Sequence, residues 1–441
     1  MAYNLTNEEQ ICLNPIGFTI DNVQLTTNSG HNINITKLVH DVKIYEALHR
    51  AGIIVEMQIL DGINLFSSAN LAGNEKIMFS ISREEPIKGF QFFELEVYVS
   101  DIVRFTERTA SSVSYSLVCV SKHAYLNNKK LLNTSFKGDT KNLISNIVKS
   151  QLKSKIDARA SGNAICKGIY PNLKPLDTIA WLLRNANDKG TPLYFYETAG
   201  EGLILTSYKE ILNGEVYNNY NKNPEFEQTR FRSKEELMFE EERNKIRKIK
   251  SALNLSKLTP VENGVYGSTL TTIDISTKET EVYKFKFEDE PPEPTLNKYP
   301  AAVPEMTVDE EKLFDMRESK KYYQSLNENA FELSNYHKQT DNKGMMQSIT
   351  ASSTINNTSI DMIIAGDFNF APGKIVELEI LKHADITEEL ISGDEYIDQM
   401  LSGKYLVTKT IHHFAKDGYV IHATLKKDSF KEYQLDLLGK N

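Results

Sequence analysis

Cysteine is scarce: Cys12, Cys119 and Cys166 are the only three in 441 residues, they lie far apart, and no CxxC spacing occurs. That pattern fits a chain made in a reducing cytosol, and a disulfide scaffold or a zinc ribbon does not follow from it. Long apolar runs are missing too. A membrane-spanning helix needs about 20 mostly apolar residues, whereas the best runs, Ala51 to Leu60 and Ile360 to Ala365, are short and interrupted by charge or ended by Gly. Membrane insertion is therefore not expected. Met1 to Gln10 carries Glu8 and Glu9 and lacks the basic n-region and apolar h-region of a secretory signal. A basic surplus is also lacking: 51 Lys and Arg stand against 60 Asp and Glu, for a net charge of −9. Chains that grip nucleic-acid phosphates normally carry the opposite balance. What is present is ordinary for a globular protein, with 40% hydrophobic and 10% aromatic residues, so wholesale disorder is excluded. The length suggests roughly two to four domains.

Hydrophobic periodicity divides the chain. Residues 1–125 read as β. Ile53, Val55, Met57 and Ile59 alternate with polar residues, as do Ile77, Phe79 and Ile81, then Phe93, Leu95, Val97 and Val99, then Val113, Tyr115, Leu117 and Cys119. Such period-two patterning over successive short segments indicates a half-buried antiparallel sheet or barrel. One short helix is expected to interrupt it at Asp41 to Arg50. Residues 126–232 read as an α+β middle domain. Asp139 or Thr140 caps a helix with a stripe of Leu143, Ile144, Ile147, Val148 and Leu152; a second helix runs from about Leu176 to Asn187 behind Pro175. Strands follow at Leu193 to Glu197 and Leu203 to Ser207.

Residues 233–287 read as a charged helix, opened by the capping box of Ser233 and Glu236 and running to about Ser251, and then as the first strands of a second β unit, near Ser268 to Ile275 and Thr280 to Phe287. Residues 288–345 form a proline and acidic insertion. Pro291, Pro292, Pro294, Pro300 and Pro304 crowd into it, and the stretch reads as an exposed, extended excursion. The second β unit resumes over 346–430, with strands at Ser359 to Phe368, Lys374 to Leu381, Gly403 to Phe414 and Gly418 to Leu425 and a hairpin signal at Asp417-Gly418. A tail covers 431–441. The fold class is thus mainly β with an α+β middle domain.

Active-site chemistry is not visible. There is no Walker loop, dinucleotide glycine fingerprint, GxSxG elbow or HExxH pair. His412, His413 and His422 are the densest histidine group, but a strand sends His412 and His413 to opposite faces, so they read as strand-surface histidines and not as zinc ligands. Cys119 with His123 lacks a third orienting group and reads as core packing. Glu240, Glu241 and Glu242 are adjacent on a helix and cannot face one another, so they read as a solvated face. Trp181 falls on the apolar stripe of its helix. No catalytic, cofactor-binding or metal-ligating residue is assigned, and no cofactor is expected.

Several local patterns carry a resemblance. The segments Asp367-Phe-Asn-Phe-Ala-Pro-Gly-Lys374, Leu401-Ser-Gly-Lys-Tyr-Leu-Val-Thr408, Ile411-His-His-Phe414 and Thr424-Leu-Lys-Lys-Asp428 resemble the C-terminal barrel of baseplate central hub proteins from contractile-tailed bacteriophages. Pro171-Asn-Leu-Lys-Pro175, Trp181-Leu-Leu-Arg184 and Tyr194-Phe-Tyr-Glu197 are similar to that family's middle domain, and Asn254-Leu with Gly264-Val-Tyr-Gly267 to its entry into the second barrel. Their order and spacing cover most of the chain from about 90 to 430.

The resemblance implies two tube-type antiparallel β-barrels per chain and a homotrimer closing into a pseudo-six-fold ring. It also implies a structural role in the virion tail baseplate: the ring would join the six-fold tail tube, or its initiator protein, to the three-fold central spike protein. Baseplate wedge proteins would contact its outside, while the tape-measure protein and DNA pass through the lumen without specific binding. Two other readings remain open at this point: the N-terminal hub part of a contractile secretion spike, and a tail-associated cell-wall hydrolase. Residues 1–125 are expected to share a topology with roughly 240–285 plus 355–430. Trimer contacts are expected at barrel edges, and the channel wall is expected to be neutral to acidic, with Glu94 and Glu96 as outward-facing candidates.

Overall fold

The computed structural model describes residues 15–431 except 86–88, 110–111, 161–164, 185, 222–241, 254–261, 288, 292, 301–306, 309–310, 313–319, 327–341, 357 and 382–396. Its first third is built by alternation. Strands β1 (Thr19–Thr26), β2 (Asn32–Asn34), β3 (Val39–Ala47), β4 (Arg50–Asp61), β5 (Lys76–Glu85), β6 (Gly89–Thr109) and β7 (Ser112–Ser121) follow one another closely. The inward sets expected from the sequence, Ile53 to Ile59, Ile77 to Ile81 and Phe93 to Val99 at every second position, are buried. These strands pair antiparallel in the order β3-β4-β7-β6-β5-β1-β2. The path ends at β2, and β2 runs back into β3 through a single 3-10 turn at Thr36–Leu38. The two ends of the path are therefore chain neighbours, although no ladder joins them.

The middle region has its own core. Helix α1 (Thr140–Ile147) is capped by Asp139, whose carboxylate accepts from the Asn142 N–H at 2.6 Å. Helix α2 (Pro175–Arg184) starts on its proline, whose missing N–H costs nothing in the first turn. Both pack Leu143, Ile144, Ile147, Ile179 and Leu182 against strands β8 (Thr191–Thr198) and β9 (Gly202–Ser207).

The longer strands that follow are β10 (Val216–Asn221), β11 (Lys248–Leu253), β12 (Gly267–Asp274), β13 (Thr280–Lys286), β14 (Lys320–Leu326), β15 (Thr358–Ala365), β16 (Ile375–Glu379), β17 (Gly403–Ala415) and β18 (Gly418–Lys427); helix α3 (Asn342–Thr354) precedes β15. A second antiparallel path runs β11-β15-β18-β17, and β17 then pairs with β3. That one ladder fuses both paths into a single sheet of 13 strands, in which β16 lies on the start of β17 and β10 lies parallel to β16. Among the described residues no ladder closes the sheet into a barrel. One apolar core serves both halves: Phe93 meets Phe368 at 5.7 Å between ring centroids, and Phe18 meets Phe414 at 5.3 Å.

Four expectations need correction. Asp41 to Arg50 is mostly strand and not helix, because β3 has hydrogen-bonding partners on both edges, β4 and β17, and tertiary pairing overrides local propensity. The charged helix does not reach Ser251; Lys248–Leu253 is a strand paired with β15, while Ser233 and Glu236 lie outside the described residues. Strands β12 and β13 do not join the second β unit. They form a separate sheet with β14, in the order β13-β12-β14, over Leu270, Phe285 and Met346. The proline-rich stretch is docked as well: Leu296 is buried, Asn297 donates to the Lys404 carbonyl at 3.0 Å, and Tyr299–Pro300 pairs with Ser429–Phe430.

Candidate functional site

His412 is buried and not on the strand surface; its Nδ1 lies 2.7 Å from the Tyr419 hydroxyl, and burial pushes its pKa down to about 4. His413 points the other way, as strand geometry requires, with Nε2 2.8 Å from Asp41 Oδ2 and its ring 5.9 Å from that of His422. Cys119 is fully buried, which drives its thiol pKa up. His123 turns to Glu197 at 2.6 Å. Trp181 is half-buried, edge-on to Phe136 at 6.0 Å. Glu242 is exposed beside Lys245, and Glu240 and Glu241 fall outside the described residues. Among the described residues no three His, Cys, Asp or Glu side chains are grouped to hold a metal ion, and no helix is long and apolar enough to cross a membrane.

Polar side chains concentrate instead where parts of the molecule join. At the β3–β17 ladder Glu46 stands opposite Thr410 and faces inward. Its carboxylate accepts from the Ala199 N–H at 2.7 Å and from Thr410 Oγ1 at 3.2 Å, tying the middle region to the ladder. Burial raises its pKa to about 7. A second joint gathers four buried charges. Arg83 and Glu85 continue the inward parity of Ile77, Phe79 and Ile81 along β5, and Arg243 reaches both Glu85 and Asp367. Arg83 also donates to the Gly366 carbonyl and, at 3.0 Å, to that of Pro15, while Tyr217 donates to Asp367 at 2.8 Å.

This second joint explains the Gly366–Lys374 segment. Asp367 is one of the joint's two anions, Phe368 and Phe370 enter the core, and both flanking glycines are sterically required. A Cβ on Gly366 would lie 2.0 Å from the Tyr419 ring, and one on Gly373, at φ +86°, 2.2 Å from the Tyr196 hydroxyl. Sequence reasoning missed Glu46, Arg83 and Arg243. For Arg83 the signal was available, since a charged residue on the inward parity of a strand needs a buried partner.

The outer face of the sheet carries one cross-strand row, Lys248–Ile363–His422–Ile411–Tyr45–Ile54–Val120–Tyr98, that crosses from one half to the other without a break. At its end β11 has β15 as its one ladder partner among the described residues, none of which pairs with its other edge.

No protein-family model matches the sequence, and no curated protein matches it at a significant level. Solved structures do match in fold. A tail protein from Neisseria meningitidis MC58 aligns with TM-score 0.52 and 12% identity over 93% of this chain and 97% of its own. The 43 kDa tail protein of prophage MuSo2 from Shewanella oneidensis aligns with TM-score 0.53 and 10% identity over 93% and 99%. At these identities the likeness is one of fold, and it extends over nearly the whole of each chain.

Proposed function

We propose that the chain is a structural hub of a contractile phage-tail baseplate. Three copies close into a ring, each contributing two tube-type barrels, and the ring joins a six-fold tail tube to a three-fold central spike while DNA passes through its lumen. The observation that carries this reading is the β3–β17 ladder, which sets two antiparallel units edge to edge in one sheet. Adjacent sectors of a closed ring need that arrangement, and a heterologous contact of the same kind between copies closes the ring. The full-length fold likeness to two tail proteins supports it.

In this reading the first barrel is β1 to β7, whose path returns to its start through the Thr36–Leu38 turn. The second is β10, β11 and β15 to β18. The other edge of β11 pairs with a neighbouring copy, because an unpaired edge strand invites association. Wedge proteins and the tape-measure protein are the further partners, the virion tail is the location, and the role requires no catalysis.

Native mass spectrometry tests the proposal: a species of three times the 50.1 kDa chain mass is expected. A chain that stays monomeric at high concentration overturns it. A proline placed in β11 should return the trimer to soluble monomers.

A further inference from the structure

A cavity of about 620 Å³ opens on the outer face of the main sheet, where β3, β17, β18, β15 and β11 run side by side. Its floor is mainly apolar: Ile363, Ile411 and Tyr45 lie in the cross-strand row described above and are half-buried, with the half-buried His422 ring between the two isoleucines. Its rim is cationic. Arg50, Lys248, Lys250 and Lys409 are exposed, and none of them is ion-paired among the described residues. Two carboxylates also line the cavity. Asp361 sits opposite Lys250 in register and accepts from Thr424 Oγ1, another lining residue, at 2.7 Å, so one negative charge stands against the four cations of the rim. Glu46 is turned inward to the Ala199 N–H. The positive charge is crowded: burial, then Lys409, Lys426 and Arg50, hold the His49 pKa below its ordinary value.

We propose that this groove docks an acidic, amphipathic polypeptide segment in extended conformation, with its apolar side chains on the Ile363–Ile411–Tyr45 floor and its carboxylates at the Arg50, Lys248, Lys250 and Lys409 rim. The charge complementarity is direct, since unpaired cations beside a partly desolvated surface attract and orient an anionic partner. The floor decides which anion. Nucleic-acid phosphates would use the rim and leave the aliphatic row wet, and base stacking needs several aromatic platforms, whereas Tyr45 is the one Phe, Tyr or Trp among the lining residues. Five strands at a spacing of ~4.8 Å span roughly 19 Å, which an extended chain crosses in about six residues. The groove is complete within one chain and needs no ring.

Fluorescence anisotropy with the full chain tests this, using a labelled peptide of alternating glutamate and leucine about eight residues long. Saturable binding is expected. The double variant Lys250→Glu, Lys409→Glu should bind about tenfold more weakly or worse, and a glutamate–serine peptide of equal length should lose about as much because the floor goes unused. Lys130→Glu, an exposed charge reversal in the middle region, should leave binding unchanged. Unaltered affinity in the double variant, equal affinity for the glutamate–serine peptide, tighter binding of a short duplex DNA, or no peptide binding at all overturns the proposal.

Discussion

The two halves of the main sheet share one core and are built in opposite ways. The first, β1 to β7, comes from a single stretch of chain: four of its ladders join consecutive strands, and two, β1–β5 and β4–β7, close over longer loops within that stretch. Its inward positions are mainly apolar, with Glu46 on β3, Asp61 at the end of β4, and Arg83 and Glu85 at the end of β5 as buried charges. The second draws β10, β11 and β15 to β18 from scattered segments, with a separate three-stranded sheet and helix α3 inserted among them. It also buries charge. Arg243 and Asp367 meet the first half's Arg83 and Glu85, and Lys427 donates to the Met400 and Ser402 carbonyls at 2.6 and 3.0 Å, 4.6 Å from the centroid of the Tyr405 ring. The outer faces differ in sign as well. Glu56, Glu94, Glu96 and Asp101 mark the first, and Lys248, Lys250 and Lys409 the second. Local hairpins can hold a sheet with alternation alone. A half assembled from distant segments needs directional contacts that accept one arrangement, and buried ion pairs supply direction more than net stability.

The largest expected effect tests that contrast. Asp367→Ala leaves Arg243 and Arg83 to share the single carboxylate of Glu85, and should cost about 3–5 kcal/mol in denaturant unfolding. Leu117→Ala in the first half and Leu425→Ala in the second, both fully buried, should each cost about 2–5 kcal/mol. Because the core is shared, both should shift one common transition; two separable transitions in calorimetry would break the picture of a fused sheet.

The ladder between the halves should show in pH dependence. Glu46, raised from 4.5 to about 7, binds its proton more tightly when folded, so its contribution is present below the ordinary carboxylate pKa and lost as pH rises through about 7. His412, lowered from 6.5 to about 4, acts oppositely and loses its contribution as pH falls through that range. Glu46→Gln should therefore gain stability relative to the parent chain as pH rises from 4.5 to about 7, measured by urea midpoints. A constant difference across that window would remove Glu46 from the ladder's energetics. The smallest effect lies outside both halves: Asp139→Ala removes the cap of α1 and should cost about 1 kcal/mol, seen as faster amide exchange in α1.

The same contrast sets what was legible in the sequence. Strands β4 to β7 could be read because Ile53 to Ile59 and Phe93 to Val99 alternate within one strand. The Asp139 cap and Pro175 marked their helices for equally local reasons. β3 was missed because Ile44, Ala47 and Leu48 also satisfy helical spacing, and the partner that fixes it as a strand lies in β17. β11 hides in a run of lysines and arginines, and its strand character comes only from β15. The groove was out of reach altogether: Arg50, Lys250 and Lys409 come from three different strands, and their proximity is a property of strand order and register.

The ladder between β3 and β17 also fixes a timetable. Glu46 and Thr410 are 364 residues apart, and synthesis at about 5–20 residues per second puts roughly 20–70 s between them. During that interval β3 can pair with β4, but its other edge has no β17 to cover it and is left facing water. Glu46, and the alternation of Asp41 and Lys43 with apolar neighbours, keep that waiting edge charged until the last hairpin arrives to cover it.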